Sequence, residues 1–254
     1  MKLAVISDLH SNKEALEAVL AHIESLSGIT SIVCLGDVVG YGPDPEYCVD
    51  VVRGHASWCL MGNHDEALFR GATDFNPHAR GAIEYTRRIM EPSWWSLTEK
   101  RARWKWLKRL PLKMTEGPFL FVHGSPRDPV REYVLSTDGF LNPGKLGSIF
   151  ELFERICVAG HTHQPGVHDQ NFNFTPHSGD ESSVFEFEPE GKYFVNVGST
   201  GQPRDGDVRA CYAVLTPESV TWHRVEYDFQ TTMDKIDKIS ALHPNLARRL
   251  AIGK

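Results

Sequence analysis

Apolar residues in this chain come in short unbroken runs, each closed by a cluster of polar or ionisable residues. The first three are Lys2-Leu3-Ala4-Val5-Ile6, Ser31-Ile32-Val33-Cys34-Leu35 and Ala56-Ser57-Trp58-Cys59-Leu60-Met61. Continuous runs of this length suit strands buried on both faces, as in a parallel sheet. Between the first two, Leu16, Val19, Leu20 and Ile23 follow helical spacing behind a cap at Ser11 or Asn12. Residues 38–45 hold two glycines and two prolines and read as a loop, and Pro45 suits the first turn of a helix through Val52. This βαβαβ opening predicts a mainly parallel sheet covered by helices. In such sheets a ligand site gathers beyond the carboxyl ends of the strands.

Residues 76–110 read as helical with a break near Pro92. Asn76-Pro77 is a cap and first-turn pair, and Ser96-Leu97-Thr98-Glu99 matches a capping box. The second half is richer in strands. Phe119–Val122 runs into His123-Gly124-Ser125-Pro126, and Ile156–Ala159 runs into Gly160-His161-Thr162-His163. Phe185-Glu186-Phe187 and Tyr193-Phe194-Val195 flank Pro189-Glu190-Gly191, and 210–215 and 220–225 flank Thr216-Pro217-Glu218-Ser219; both pairs are expected to be hairpins. A short helix around 230–241 is expected to close the chain. Repeats, linkers and low-complexity tracts are absent, so residues 1–254 read as one α/β domain with two β-rich layers.

Composition narrows the class. With 41% hydrophobic and 24% charged residues, the chain is neither collagen-like, disordered nor a disulfide scaffold. A net charge of −6 argues against nucleic acid and anionic membrane as partners. The five cysteines are scattered, without a C-x-x-C pair, and sit mostly in apolar runs, which points to buried free thiols in a reducing compartment. No apolar leader or membrane-length run is present, so the expected location is cytoplasmic.

The polar residues that close the strand-like runs carry the chemistry: Asp8, His10, Asp37, Asn63, His64, His123, His161 and His163. Singly, each is an ordinary loop residue. Together they form a mixed His, carboxylate and amide set of the kind that suits Mn, Fe, Zn or Ni better than Mg or Ca. Seven ligands exceed what one such ion needs but suit two sharing a bridge, and Asp37, with two carboxylate oxygens and a central place in the set, is the natural bridging residue. Ions about 3.5–4 Å apart can clamp phosphoryl oxygens and generate a hydroxide nucleophile.

These segments resemble the calcineurin-like metallophosphoesterases. The match runs through D-x-H (Asp8, His10), G-D (Asp37), G-N-H-D (Asn63, His64, Asp65), a strand-end His (His123) and G-H-T-H (His161, His163), in family order over about two-thirds of the chain. The resemblance implies a four-layer αββα sandwich of two mixed β-sheets flanked by helices. It implies one ion on Asp8, His10, Asp37 and His163, and another on Asp37, Asn63, His123 and His161. His64 would face the leaving-group or a phosphate oxygen, and Asp65 would orient it and favour its imidazolium form.

The expected reaction is attack on phosphorus by a metal-bridging hydroxide, on a small phosphate ester or nucleotide. Val38-Val39-Gly40-Tyr41-Gly42-Pro43 follows the bridging Asp where many family members carry a second Asp or an Arg. With 123–128 and 198–205, it is similar to a bacterial and archaeal subgroup described as phosphatases or dinucleoside-polyphosphate hydrolases. A nuclease of the same fold and a catalytically silent metal-binding scaffold are the alternatives.

Arg204 could offer its forked donors to a substrate phosphate, or pair with Asp205 or Asp207. Tyr41 could stack on a base, or pack on Pro43. The basic, Trp-bearing segment 94–109 is read as an amphipathic helix in preference to a nucleotide platform. The remaining histidines, 22, 55, 78, 168, 177, 223 and 243, are read as structural. Oligomeric state is not legible.

Overall fold

The computed structural model describes all 254 residues. β1 (Leu3–Ile6), α1 (Lys13–Ser25), β2 (Ser31–Cys34), α2 (Pro45–His55) and β3 (Ala56–Cys59) form the expected opening, with the three strands parallel. Asn12 caps α1, its side chain accepting from Ala15 N at 3.1 Å. α3 (Asn63–Arg70) follows directly, a helix where the sequence alone shows only a polar strand end. α4 (Pro77–Met90) starts where expected, with Asn76 accepting from His78 N and Ala79 N. α5 (Thr98–Leu107) also forms, but without the expected capping box: Leu97 sits at its N-cap, and Ser96 Oγ accepts instead from Ser93 N.

β4 (Lys113–Glu116), not foreseen, pairs antiparallel with β5 (Phe119–Val122). α6 (Asp138–Leu141), α7 (Pro143–Phe150), β6 (Ile156–Ala159), β7 (Gly166–Asp169), β8 (Phe174–Pro176), β9 (Ser182–Glu186) and β10 (Tyr193–Asn196) follow. β9 and β10 do not form the expected hairpin. β9 pairs with β12 (Ser219–Val225), whereas β10 lies between β6 and β7 in the other sheet. Pro189-Glu190-Gly191 therefore marks a crossing between sheets. β11 (Ala210–Thr216) and β12 do form a hairpin. α8 (Phe229–Asp237) covers most of the expected last helix, but α9 (Pro244–Leu250) closes the chain.

Two mixed six-stranded sheets result, ordered β3-β2-β1-β11-β12-β9 and β4-β5-β6-β10-β7-β8. The two-residue period of a strand sorts the side chains into layers. Leu3, Val5, Val33, Phe119, Phe121, Ile156, Val158 and Val195 meet between the sheets. Ala4, Ile6 and Cys34 face α1, α2 and their neighbours, and Cys157, Ala159 and Phe194 face α7. This is the expected αββα sandwich. All five cysteines are buried and free, and no helix is long and apolar enough to cross a membrane.

The basic helix is less amphipathic than expected, with only Leu107 fully buried: Trp104 and Trp106 are partly buried against the core, and Arg103 pairs with Glu46 and Asp50. Trp94 and Trp95, just before it, remain 83% and 74% exposed.

Candidate metal centre

β1, β2, β3, β5 and β6 all end at one edge of the sandwich, and the loops that leave them carry the predicted residues. The backbone there is strained. Asp8, His10, Ser11, Asp37, Tyr41, His161 and His163 have φ between 49° and 65°, and Phe172 alone shares this conformation elsewhere among non-glycine residues. Left-handed backbone costs a side-chain-bearing residue about 1–2 kcal/mol and concentrates where surrounding structure imposes it for function. Two motif glycines are explained by close approach. A Cβ on Gly62 would collide with the Asp37 carboxylate and main chain, and one on Gly160 with Ser7 Oγ and Asp8 Oδ2.

Asp8, His10, Asp37, Asn63, His64, His123, His161 and His163 are all buried and converge. Each expected imidazole ligand has one ring nitrogen against a main-chain oxygen: His10 Nδ1 on Val39 O (3.3 Å), His123 Nδ1 on Leu35 O (3.1 Å), His161 Nε2 on Arg131 O (3.1 Å) and His163 Nδ1 on Gln202 O (2.5 Å). A carbonyl can only accept, so in the neutral imidazoles these nitrogens carry the proton and the opposite ones carry a lone pair. The lone pairs then face other acceptors. His163 Nε2 is 3.1 Å from Asp8 Oδ1 and 3.3 Å from His10 Nε2. His123 Nε2 is 3.1 Å from Asn63 Oδ1 and 3.4 Å from Asp37 Oδ2. Asp8 Oδ1 is fully buried without a hydrogen-bond donor.

Acceptors pressed together repel unless a cation lies among them. Ligands about 2 Å from an ion sit about 3 Å from one another, so the donor set fits transition-metal ions. Asp37 serves both groups through one oxygen rather than two. Oδ2 lies 3.7 Å from His10 Nε2 and 3.4 Å from His123 Nε2, while Oδ1 accepts from His64 N at 2.8 Å.

The same crowding governs protonation. Burial raises the pKa of Asp8, but His163 and His123 outweigh it and hold the carboxyl well below its usual range. Burial pushes His123 down, yet Asp37 beside it prevails and lifts it to about 9. A proton on His123 Nε2 answers the same electrostatic demand as a metal ion. Burial takes His161 down to about 3 and His64 to about 4. Asp65 is raised to about 7 by burial and by Asp37.

The expected Asp65–His64 hydrogen bond is not present. Asp65 accepts from Gly62 N (3.1 Å), Val39 N (3.2 Å) and Val38 N (3.4 Å), tying the first turn of α3 to the loop after β2. His64 Nδ1 is buried beside Gly40 without a partner. Neighbouring rings hold the imidazole, at centroid distances of 4.4 Å for Tyr41, 4.8 Å for His10 and 5.0 Å for Phe75. The expected imidazolium therefore has no carboxylate bound to it.

A cavity of about 260 Å³ opens over the cluster, lined by Asp37, Tyr41, Asn63, His64, Asp74, Phe75, Asn76, Arg131, Tyr133, His161, His163 and Arg204. Arg204 reaches it and pairs with neither Asp205 nor Asp207; it donates to Gln202 Oε1, while those carboxylates engage Arg224 and Arg209. Tyr41 is a buried wall of the site. The sequence did not single out Tyr133, which stacks on His161 at 3.9 Å, or Phe75 and Arg131. Each lies in a loop or turn with no motif around it.

Supporting contacts come from β10 and the loop after it. Asn196 Nδ2 donates to Gly160 O (2.6 Å) and Thr162 Oγ1 (2.9 Å), bracing the loop that carries His161 and His163. Ser199 Oγ donates to Asp8 O at 2.9 Å.

Comparison with known proteins agrees with this architecture. The sequence model of the calcineurin-like phosphoesterase superfamily domain matches residues 1–219. The chain is 35% identical over 261 residues to protein MJ0912 of Methanocaldococcus jannaschii, covering 99% of this chain and 98% of that one. The crystal structure of a metallophosphoesterase from Sphaerobacter thermophilus superposes with a TM-score of 0.82 at 37% identity, over 100% and 99% of the two chains. Hypothetical protein PH1004 of Pyrococcus horikoshii shares the fold, with a TM-score of 0.76 at 19% identity over 100% and 98%. The chain belongs to the calcineurin-like phosphoesterase superfamily.

Proposed function

We propose that residues 1–254 form one domain that acts as a dinuclear metal-dependent phosphohydrolase on a small phosphate ester or nucleotide. The observation that supports this reading is the double group of facing acceptors, each imidazole held in one tautomer by a main-chain carbonyl. Asp8, His10, Asp37 and His163 would hold one ion, and Asp37, Asn63, His123 and His161 the other. Mn is the first choice, with Fe, Zn or Ni compatible. Bound there, such ions supply charge neutralisation at phosphoryl oxygens and an activated water for in-line attack.

The rest falls to the chain. The Val39, Leu35, Arg131 and Gln202 carbonyls keep the four imidazoles oriented without further rearrangement. His64, with Nδ1 buried, is left to offer Nε2–H to a phosphoryl or leaving-group oxygen. Arg204 offers its guanidinium fork to a non-bridging oxygen. Tyr41 and Phe75 exclude water around His64. The cavity's size, about 260 Å³, falls just below the usual range of ligand pockets, which starts at about 300 Å³, and suits a small substrate.

Metal content and phosphate or nitrophenol release by the Mn-loaded protein test the proposal, using a monoester, a diester and a dinucleoside polyphosphate. Two ions per chain are expected. Asp37→Asn should bind fewer and lose more than the roughly 10–100-fold of outer-sphere changes at a metal site. A protein that holds two ions and turns over none of the three substrates would overturn the hydrolase reading.

A further inference from the structure

The turn between α4 and α5 holds three large apolar side chains in solvent. Leu97 is 82% exposed, beside the open rings of Trp94 and Trp95. The turn is braced by hydrogen bonds. Ser93 N donates to Ser96 Oγ at 2.8 Å. Arg101, near the start of α5, donates to the main-chain oxygens of Ser96 (3.2 Å), Ser93 (3.0 Å) and Trp94. Bonded backbone therefore holds the two rings outward.

Arg101 also begins a cationic stripe. Arg101, Lys105 and Lys108 follow at i, i+4 and i+7, which places them on one face of α5, and all three are exposed. Leu107, the buried residue of the helix, lies away from this face. None of the three has a carboxylate partner: Arg103 takes Glu46 and Asp50, and Glu99 turns toward Arg53. Residues 94–109 hold six Lys and Arg against one Glu, within a chain of net charge −6. Exposed charges more than about 8 Å apart are largely screened at physiological ionic strength. A surface facing the stripe therefore meets its positive charge rather than the average of the chain.

Exposed indole rings beside unpartnered cations suit the boundary between lipid headgroups and acyl chains. Trp is enriched at that depth, while Lys and Arg reach anionic headgroups with their long stems lying along apolar surface. Nucleobase stacking fits less well. The Trp94 and Trp95 rings meet edge to face, with centroids 5.6 Å apart and planes at 74°, so no slot for a base lies between them. Leu97 adds apolar area without a π-face. We propose that Trp94, Trp95 and Leu97, backed by Arg101, Lys105 and Lys108, dock the protein on an anionic phospholipid surface. The contact is peripheral: the side chains of one turn enter the interface, and one helix face lies against the headgroups. It is independent of the phosphohydrolase reading.

The test is co-sedimentation of the full chain, cleared of unbound metal, with two kinds of vesicle. One is phosphatidylcholine alone, and the other contains about 30% phosphatidylserine. The wild type should partition at least about tenfold more strongly to the anionic vesicles, and less so as salt rises. Trp94→Ala/Trp95→Ala and Lys105→Gln/Lys108→Gln should each lower that partition about tenfold. Equal partition to both vesicles, or a partition unchanged in either double variant, overturns the proposal. Should the Trp variant melt early, the Lys variant decides on the same criterion. A single-stranded oligonucleotide bound through Trp94 and Trp95, with no vesicle binding, would assign the patch to nucleic acid instead. A dimer lost in the Trp variant, again with no vesicle binding, would assign it to a second copy of this chain. Either result overturns lipid docking.

Discussion

His10 Nε2 and His163 Nε2 lie 3.3 Å apart while the Nδ1 of each faces a main-chain carbonyl. Two neutral imidazoles so tethered point lone pairs at one another, and Asp8 Oδ1, 3.1 Å from His163, adds a third acceptor. Such an arrangement stores repulsion that a cation converts into attraction.

Metal ions should accordingly stabilise the fold strongly. At free Mn(II) a hundred times its dissociation constant, linkage predicts about 2.7 kcal/mol per independent site. Thermal melts with Mn(II) and with a chelator check this, and Asp37→Asn should lose most of the difference. Equal melting temperatures with and without metal would contradict the acceptor argument.

His64 lines the cavity and stands outside both proposed ligand sets. His64→Ala should retain two ions and lose about 10²–10⁴ in turnover, the usual range for a proton-handling side chain. Asp65→Asn tests a different property, since Asp65 binds the backbone of Gly62, Val38 and Val39. Its expected effect is a loss of about 1–3 kcal/mol in stability, from disturbed buried bonds, measurable by urea unfolding.

Gly160→Ala should act at a distance of one atom. The new Cβ would meet Ser7 Oγ and Asp8 Oδ2, the oxygen that accepts from Ser7 Oγ and His161 N. Overpacking of this kind costs about 1–3 kcal/mol. Because the displaced group is Asp8, metal stoichiometry should fall along with the melting temperature. A variant with full metal content would show that the loop yields elsewhere.

Asp138 gives a pH dependence away from the metal centre. Burial pushes its pKa up, but bonds from Lys145 Nζ (2.6 Å), Leu135 N (2.8 Å) and Asn142 Nδ2 (2.9 Å) outweigh this and hold it below the usual value. A carboxylate with a depressed folded pKa contributes stability that is present above the unfolded value of about 3.9 and is lost as pH falls through the folded one. Urea midpoints between pH 6 and pH 3 should therefore fall less steeply in Asp138→Asn than in wild type. Parallel slopes would remove Asp138 from the acid response.

The chemistry was legible in the sequence because each candidate ligand directly follows an apolar run. A strand buried on both faces needs such a run, and a parallel arrangement brings the carboxyl ends together. Asp8, Asp37, Asn63, His123 and His161 therefore declare a common edge before any coordinates exist. The strand runs gave an α/β domain with two β-rich layers, and the αββα order came from the family resemblance. Pairing between distant segments was not legible: Pro189-Glu190-Gly191 has hairpin composition, yet β9 and β10 join different sheets. Turn chemistry reports local bending, whereas sheet membership depends on which distant edge offers unpaired backbone and a matching apolar face.

Contacts inside the site also needed the tertiary structure. The family resemblance implied that Asp65 orients His64, but on the first turn of α3 consecutive side chains point apart, and Asp65 turns to backbone N–H groups instead. Arg249 sits 45 residues from Arg204 in an unremarkable amphipathic helix, and only the docking of α9 on Tyr41 brings the two charges together. The sequence by itself marked the candidate donor residues, because side-chain chemistry and strand burial are local properties. The tertiary structure decided which acceptors face one another and which side chains share a ring, because these depend on packing between segments far apart in the chain.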